Sequence, residues 1–203
     1  MIGIYGGSFD PVHLGHLKTA TSIKDELSIE RLFLLPCYEP VHKGSLKYSS
    51  DQRLKMLSLA IEDFSELEID NREILRGGSS YMIDTLKELV KIHKEETICL
   101  IIGMDSFVNF KTWKQWDKFS GLVHMIILPR DGDQPSHKNL DTFKIADNIE
   151  QLRANPNGLL YFSNAKLINI SSSDIRGKIA GNQNLDNLMP SSVINFLQKY
   201  ETC

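Results

Sequence analysis

Short apolar runs alternate along this chain with longer stretches in which apolar positions recur every three or four residues. Runs of four to six apolar residues closed by turn residues are the pattern of buried strands, and the three-to-four spacing is that of amphipathic helices. Strands are therefore predicted at Ile2–Tyr5, ending in Gly6-Gly7, at Arg31–Leu35, closed by Pro36, and at Leu67–Ile69. Others are predicted at Thr97–Ile102, the strongest, at Val123–Leu128, ending at Pro129, and at Leu159–Phe162. Helices are predicted from about His16 to Leu27 and after Ser49-Ser50-Asp51-Gln52, a capping-box pattern followed by Leu54, Leu57, Ile61 and Phe64. A further helix, with Ser80 as its cap, carries Ile83, Leu86 and Val90 on one face, and short helices begin near Ser172 and Ser191, the latter after Pro190. The alternation implies an α/β fold, an open parallel sheet with crossover helices. The polar segment Arg130–Asn139 reads as a mobile surface loop. Without repeat, linker or low-complexity stretch, residues 1–203 read as one domain.

Composition changes this picture mainly by exclusion. A formal net charge of -3 does not suit a surface that coats nucleic acid. No run approaches the roughly 20 apolar residues of a membrane span. The first residues have neither a basic leader nor a long apolar core, so no signal peptide is expected. Cys37, Cys99 and Cys203 are odd in number and far apart, which fits neither a disulfide framework nor a zinc spacing. A reducing compartment, the cytoplasm, is the expectation.

Two segments carry candidate chemistry. Gly6-Gly7-Ser8-Phe9-Asp10-Pro11-Val12-His13-Leu14-Gly15-His16 lies between the first strand and the first helix. Ligands of open α/β sheets bind at such strand ends, and a helix N-terminus offers N–H groups and positive potential to an anion. His13 and His16, three apart, can both turn to one side and donate to phosphate oxygens whose charge grows in a transition state. By themselves they also admit an incidental placement, or a metal site completed by Asp10. The glycines and the short strand favour phosphate over metal. The second segment, Ile170-Ser171-Ser172-Ser173-Asp174-Ile175-Arg176, reads first as a helix cap, and second as a phosphate site with Arg176 on the first turn.

The first segment resembles the Gly-x-Phe-Asp-Pro-x-His-x-Gly-His signature of the nucleotidyltransferase superfamily. The second is similar to the Ile-Ser-Ser-Thr-x-x-Arg signature of its adenylyltransferase branch, with Ser173 in place of Thr. The resemblance implies a Rossmann-like open parallel sheet of nucleotidyltransferase type, with helices on both faces. It implies that Gly7, Ser8, Phe9, His13, His16, Ser172, Ser173 and Arg176 serve ATP, with His13, His16 and Arg176 catalytic. The acceptor phosphate would then attack the α-phosphorus directly, without a covalent nucleophile on the enzyme.

Between these segments lie Pro40-Val41-His42-Lys43, Ser79-Ser80-Tyr81-Met82-Ile83-Asp84-Thr85, and Gly103-Met104-Asp105 followed by Trp113 and Trp116. A tryptophan face suits a flat, electron-poor ring such as a pyridinium, whereas Phe110, Trp113 and Trp116 could equally form a helical core stripe. As a set, the chain resembles the bacterial nicotinate-nucleotide adenylyltransferase family nearly end to end. That family's pattern implies ATP and nicotinate mononucleotide as substrates. It puts Lys43 near the substrate phosphate, Thr85 and its backbone at the nicotinate carboxylate, and Trp113 on the pyridine ring. Gly103 and Asp105 would border the ATP ribose and adenine. Val41 and Met82 depart from the usual Pro-Pro-His-Lys and Ser-Tyr-Thr stretches. The nearest alternative in the superfamily, phosphopantetheine adenylyltransferase, usually lacks the Trp-containing helix and the second-motif arginine. An inactive nucleotide-binding regulator would have little use for both histidines and Arg176. Mg²⁺ is expected to arrive with ATP and not in a permanent protein cage. The oligomeric state is left open, a homodimer being one option.

Overall fold

The computed structural model describes residues 1–41, 44–128, 142–165 and 168–201. The chain runs β1 (Ile2–Gly7), α1 (Leu14–Leu27), β2 (Arg31–Pro36), β3 (Glu39–Pro40), α2 (Ser50–Ala60) and β4 (Leu67–Ile69). It continues with α3 (Arg72–Arg76), β5 (Ser79–Ser80), α4 (Met82–Ile92), β6 (Ile98–Gly103), α5 (Met104–Val108) and β7 (His124–Leu128). Last come β8 (Lys144–Ile145), α6 (Ile149–Ala154), β9 (Leu159–Phe162), α7 (Ser172–Ala180) and α8 (Ser191–Glu201).

Seven strands form one sheet in the order β4-β2-β1-β6-β7-β9-β8, and every pairing is parallel. A parallel sheet must be covered on both faces, and the pleat sends alternate side chains to each. Leu32, Leu34, Cys99, Ile101, Ile126 and Leu128 meet a layer that includes Leu17 and Ile23 of α1, Met56 and Leu57 of α2, and Val193 of α8. Ile2, Ile4, Phe33, Leu35, Leu100 and Ile127 meet the other, with Ile83, Leu86 and Leu89 of α4 and Phe107 of α5. β1 lies between β2 and β6, so the connections leave it toward opposite halves of the sheet. That reversal opens a crevice at the carboxyl ends of β1, β2 and β6.

Several predicted boundaries move. β1 runs on through both glycines, because Gly6 and Gly7 pair with Leu35 and Pro36 of β2. α1 starts at Leu14, two residues before the predicted start. Ser80 is not the cap of α4. It belongs to β5, which pairs with β3, its hydroxyl accepts the Tyr38 N–H, and Tyr81 occupies the cap position. Trp113 and Trp116 lie on no continuous helix: two 3₁₀ turns, Phe110–Thr112 and Trp116–Gly121, flank an extended Trp113 and a left-handed Gln115. Pro129 and the polar segment Arg130–Asn139 lie outside the described residues.

A buried histidine and a buried arginine hold the irregular parts. His124 accepts the Leu159 N–H at Nδ1, so its proton is on Nε2, which donates to the carbonyls of Leu152 and Asn155. Burial holds its pKa below the usual histidine value. Arg53, only 1% exposed, shares the inward face of α2 with Met56, Leu57 and Ala60. Its guanidinium donates to the carbonyls of Ser8 at 2.7 Å, Tyr38 at 2.9 Å and Tyr48 at 3.3 Å. Three separate loops therefore converge on one rigid fork. Arg53→Ala strands those carbonyls and should lower unfolding free energy by about 3–5 kcal/mol. Arg53→Lys should recover only a minor part, because one ammonium cannot match the fork. Urea unfolding of the three proteins measures both effects.

Candidate active site

The loop from Ser8 to His13 turns on a buried carboxylate. Asp10 accepts the N–H groups of Lys47 and Tyr48, both at 2.9 Å. Phe9 adopts a left-handed backbone (φ 48°) that buries its ring. The ring packs edge-on to Tyr5, and edge-on to His16 with centroids 5.0 Å apart. Phe9 thus supports His16 and does not offer its ring to a ligand. A Cβ on Gly7 would lie 3.1 Å from that ring, a tight contact that a larger residue could make only if the ring gave way by a few tenths of an ångström.

The two histidines cap α1 reciprocally. His13 Nδ1 accepts the His16 N–H and His16 Nδ1 accepts the His13 N–H, both at 3.3 Å. The rings stack with centroids 3.6 Å apart. A Cβ on Gly15 would lie 2.8 Å from His13 Nδ1, so the residue between them must be glycine. The N–H of Leu14 is bonded to the Leu188 carbonyl. The helix terminus therefore presents fewer open N–H groups than its sequence suggests. His13 is 3% exposed and its Nε2 has no partner among the described residues. Burial lowers its pKa to about 4.

The second motif docks onto this loop across more than 160 residues of sequence. Ser171 caps α7 by accepting the Asp174 N–H. Ser172 donates to the Pro11 carbonyl at 3.0 Å. Arg176 donates to the Asp10 carbonyl at 2.6 Å and to Ser173 Oγ at 3.1 Å, with the Asp10 carboxylate 3.5 Å away. The structure thus brings Ser172, Ser173 and Arg176 against the glycine-histidine turn. In this arrangement the guanidinium fork rests on that turn.

Beside it lies a cavity of about 540 Å³ at the ends of β1, β2 and β6. Gly7, Ser8, Gly103, Asp105 and Trp113 contribute to its walls, whereas His13, His16 and Arg176 do not. Trp113 packs on Phe110 and Phe119 and also contributes to the cavity lining. Lys43 lies outside the described residues. Thr85 requires a correction. It is fully buried, its hydroxyl donates to Glu73 at 2.6 Å and accepts from Arg76 at 2.8 Å, and it does not line the cavity. Ser80, Tyr81, Met82 and Ile83 form that wall instead.

Two participants escaped the sequence reading. Arg53 could have been suspected from its register with Met56 and Leu57, where an apolar residue is expected. Glu73, 2% exposed, lines the cavity under Thr85, and burial raises its pKa. Nothing local in the sequence marks it, since α3 is only one turn long.

Residues 4–178 match the family model described as cytidylyltransferase-like. A protein of Vesicomyosocius okutanii, named "Probable nicotinate-nucleotide adenylyltransferase", is 43% identical over 97% of this chain and 93% of its own. One of Methylococcus capsulatus with the same name is 36% identical, covering 98% of this chain and 97% of its own. Among solved structures, Plasmodium falciparum nicotinic acid mononucleotide adenylyltransferase complexed with NaAD superposes with a TM-score of 0.74. At 20% identity, covering 98% of this chain and 95% of that one, it shares the fold. A parallel sheet with a crevice at its reversal point, two motifs docked on each other beside it, and relatives above 30% identity over nearly the whole chain converge: this chain belongs to the nicotinate-nucleotide adenylyltransferase family, within the cytidylyltransferase-like group.

Proposed function

We propose that the chain transfers the adenylyl group of ATP to nicotinate mononucleotide, forming nicotinate adenine dinucleotide and pyrophosphate in NAD biosynthesis. The observation that carries this reading is the docking of the serine–arginine motif on the glycine-histidine turn, beside a cavity walled by Trp113 and a helix start. An oxygen of the acceptor phosphate attacks the α-phosphorus, and the bond from that phosphorus to the bridging oxygen breaks as pyrophosphate leaves. Such a transfer depends on positioning and on charge stabilisation.

The protein's part follows from its tautomers. Since each Nδ1 accepts a backbone N–H, each Nε2 carries the proton and is the group that can donate to phosphate. A divalent ion accompanying ATP would neutralise phosphate charge, and we assign Mg²⁺. Among the described residues no group of three His, Cys, Asp or Glu could hold a metal, and Asp10 is committed to Lys47, Tyr48 and Arg176. We assign that ion to the nucleotide substrate, whose phosphates it would accompany. Among the described residues no helix is long and apolar enough to cross a membrane. Cys37 and Cys99 are free thiols, which suits the reducing cytoplasm we propose as its place of work.

Acceptor choice is read at the start of α4. The Tyr81 carbonyl takes the N–H groups of Asp84 and Thr85, so those of Met82 and Ile83 are the pair the helix leaves over. Both residues line the cavity. A carboxylate can accept from both and suits the helix dipole, whereas an amide turns an NH₂ toward one of them.

Three measurements test this function. His16→Ala should lower kcat by roughly 10²–10³ through loss of a transition-state donor. Because His16 also caps α1, the same variant should lose about 1 kcal/mol of stability. Unchanged turnover would remove His16 from the chemistry. With ATP saturating, kcat/KM for the acid mononucleotide should exceed that for the amide by roughly tenfold to a hundredfold. Equal use of the two would overturn the assignment. The third test is pH. An unfolded His13 takes up a proton near pH 6.5, while the folded residue refuses it until about pH 4. Folding stability should therefore fall as pH drops from 6.5 toward 4, with His124 acting in the same direction. His13→Gln should flatten this slope in urea titrations.

A further inference from the structure

The charges around the acceptor cavity are not balanced for an anionic guest. Among the described residues lining it, Glu73 and Asp105 are acidic and Lys114 is the one cation. Lys114 directly follows Trp113, the ring-facing residue of the proposed function. Its ammonium bonds Asp84 Oδ2 at 2.9 Å and lies 4.3 Å from the centroid of the Tyr81 ring. Asp84 and Tyr81 sit at the start of α4, the element whose first residues, Met82 and Ile83, line the cavity. One side chain therefore spans the two walls between which the pyridine ring would be held.

The geometry points to Lys114 as a specificity-determining residue: its ammonium pairs with the carboxylate of the acceptor's ring and, with it, sets the preference for acid over amide. This deepens the function proposed above and rests on it. An ammonium has three donors. Asp84 accepts one, the face of Tyr81 covers a second side, and a donor remains for a ligand in the cavity that the residue lines. The side chain is 42% exposed, so it can swing without leaving a buried vacancy. Its bond to Asp84 is a partly exposed ion pair, which exchanges at small cost for a better-placed carboxylate. The backbone N–H groups of α4 supply direction for the carboxylate and Lys114 supplies the opposite charge. An uncharged amide gains little from that charge, and Trp113 stacks on either ring alike.

The test compares kcat/KM for the acid and amide mononucleotides in the wild type and in three variants. Lys114→Met keeps the stem and removes the charge. It should raise KM for the acid about tenfold, with kcat near the wild-type value, and change KM for the amide less than twofold. The acid KM of the wild type should rise with added salt, and that of Lys114→Met should be nearly flat. Asp84→Asn releases the ammonium from its competitor and should shift the acid KM downward severalfold, opposite in sign to Lys114→Met. Lys87→Met is the control. Lys87 also bridges α4 to the same turn, through Gln115, but lies outside the cavity wall, so the acid-to-amide ratio should not move. If Lys114 were only a latch, Lys114→Met and Asp84→Asn would impair acid and amide alike and in the same direction, and that result overturns the inference. A wild type that prefers the acid, with the preference intact in Lys114→Met, overturns the inference and leaves the function standing. A wild type indifferent to acid and amide removes both.

Discussion

The arrangement of this protein hangs on two buried charges that draw the backbone around them from opposite sides. Asp10 gathers N–H groups from the segment before α2, and Arg53 gathers carbonyls from three loops, including the residue two before Asp10. Asp10 lies just past the end of strand β1, and the guanidinium of Arg53 reaches the same place from α2. Loop backbone taken out of water needs partners. Here a carboxylate and a guanidinium provide them. Without this pair the glycine turn would lack a defined course, and the histidines at its far end would lack a fixed direction.

The hub also explains how distant parts of the chain become one site. Arg176 reaches the Asp10 carbonyl, so the second motif is registered against the first through the same aspartate that holds the loop. The sheet supplies the rest. Its reversal at β1 leaves a crevice between the two halves, and the elements bordering it come from the first 40 residues and from the 40 or so around β6. The glycine-histidine turn and the serine–arginine motif lie on one side and the cavity on the other, with Gly7 and Ser8 among its lining residues.

Much of this was legible in the sequence because it depends on local rules. Leu67–Ile69 and Leu159–Phe162 are strands with the boundaries their apolar runs suggest, and the Ser49–Gln52 capping box forms as written. The two motifs were recognisable since their function requires contiguous residues. What stayed hidden depends on contacts distant in sequence. Ser80 has the chemistry of a helix cap, yet pairing of β5 with β3 claims it. Thr85 lies on a helix that touches the cavity, but its position falls on the inward face, where Glu73 and Arg76 occupy the hydroxyl. The register of Arg53 with Met56 and Leu57 marks it as inward-facing, but nothing local announces that three carbonyls will converge on it.

The reciprocal cap on α1 has a mechanical corollary. Each imidazole holds the other residue's main chain through its Nδ1, and the remaining nitrogen of His13 is buried, so a change at one position alters the setting of the other. A substitution at one empties the hydrogen bond of the other and tilts its stacked partner, and the glycine between them admits no side chain to compensate. Positions 13, 15 and 16 thus act as one mechanical unit, in which the start of the helix and the orientation of both rings are set together.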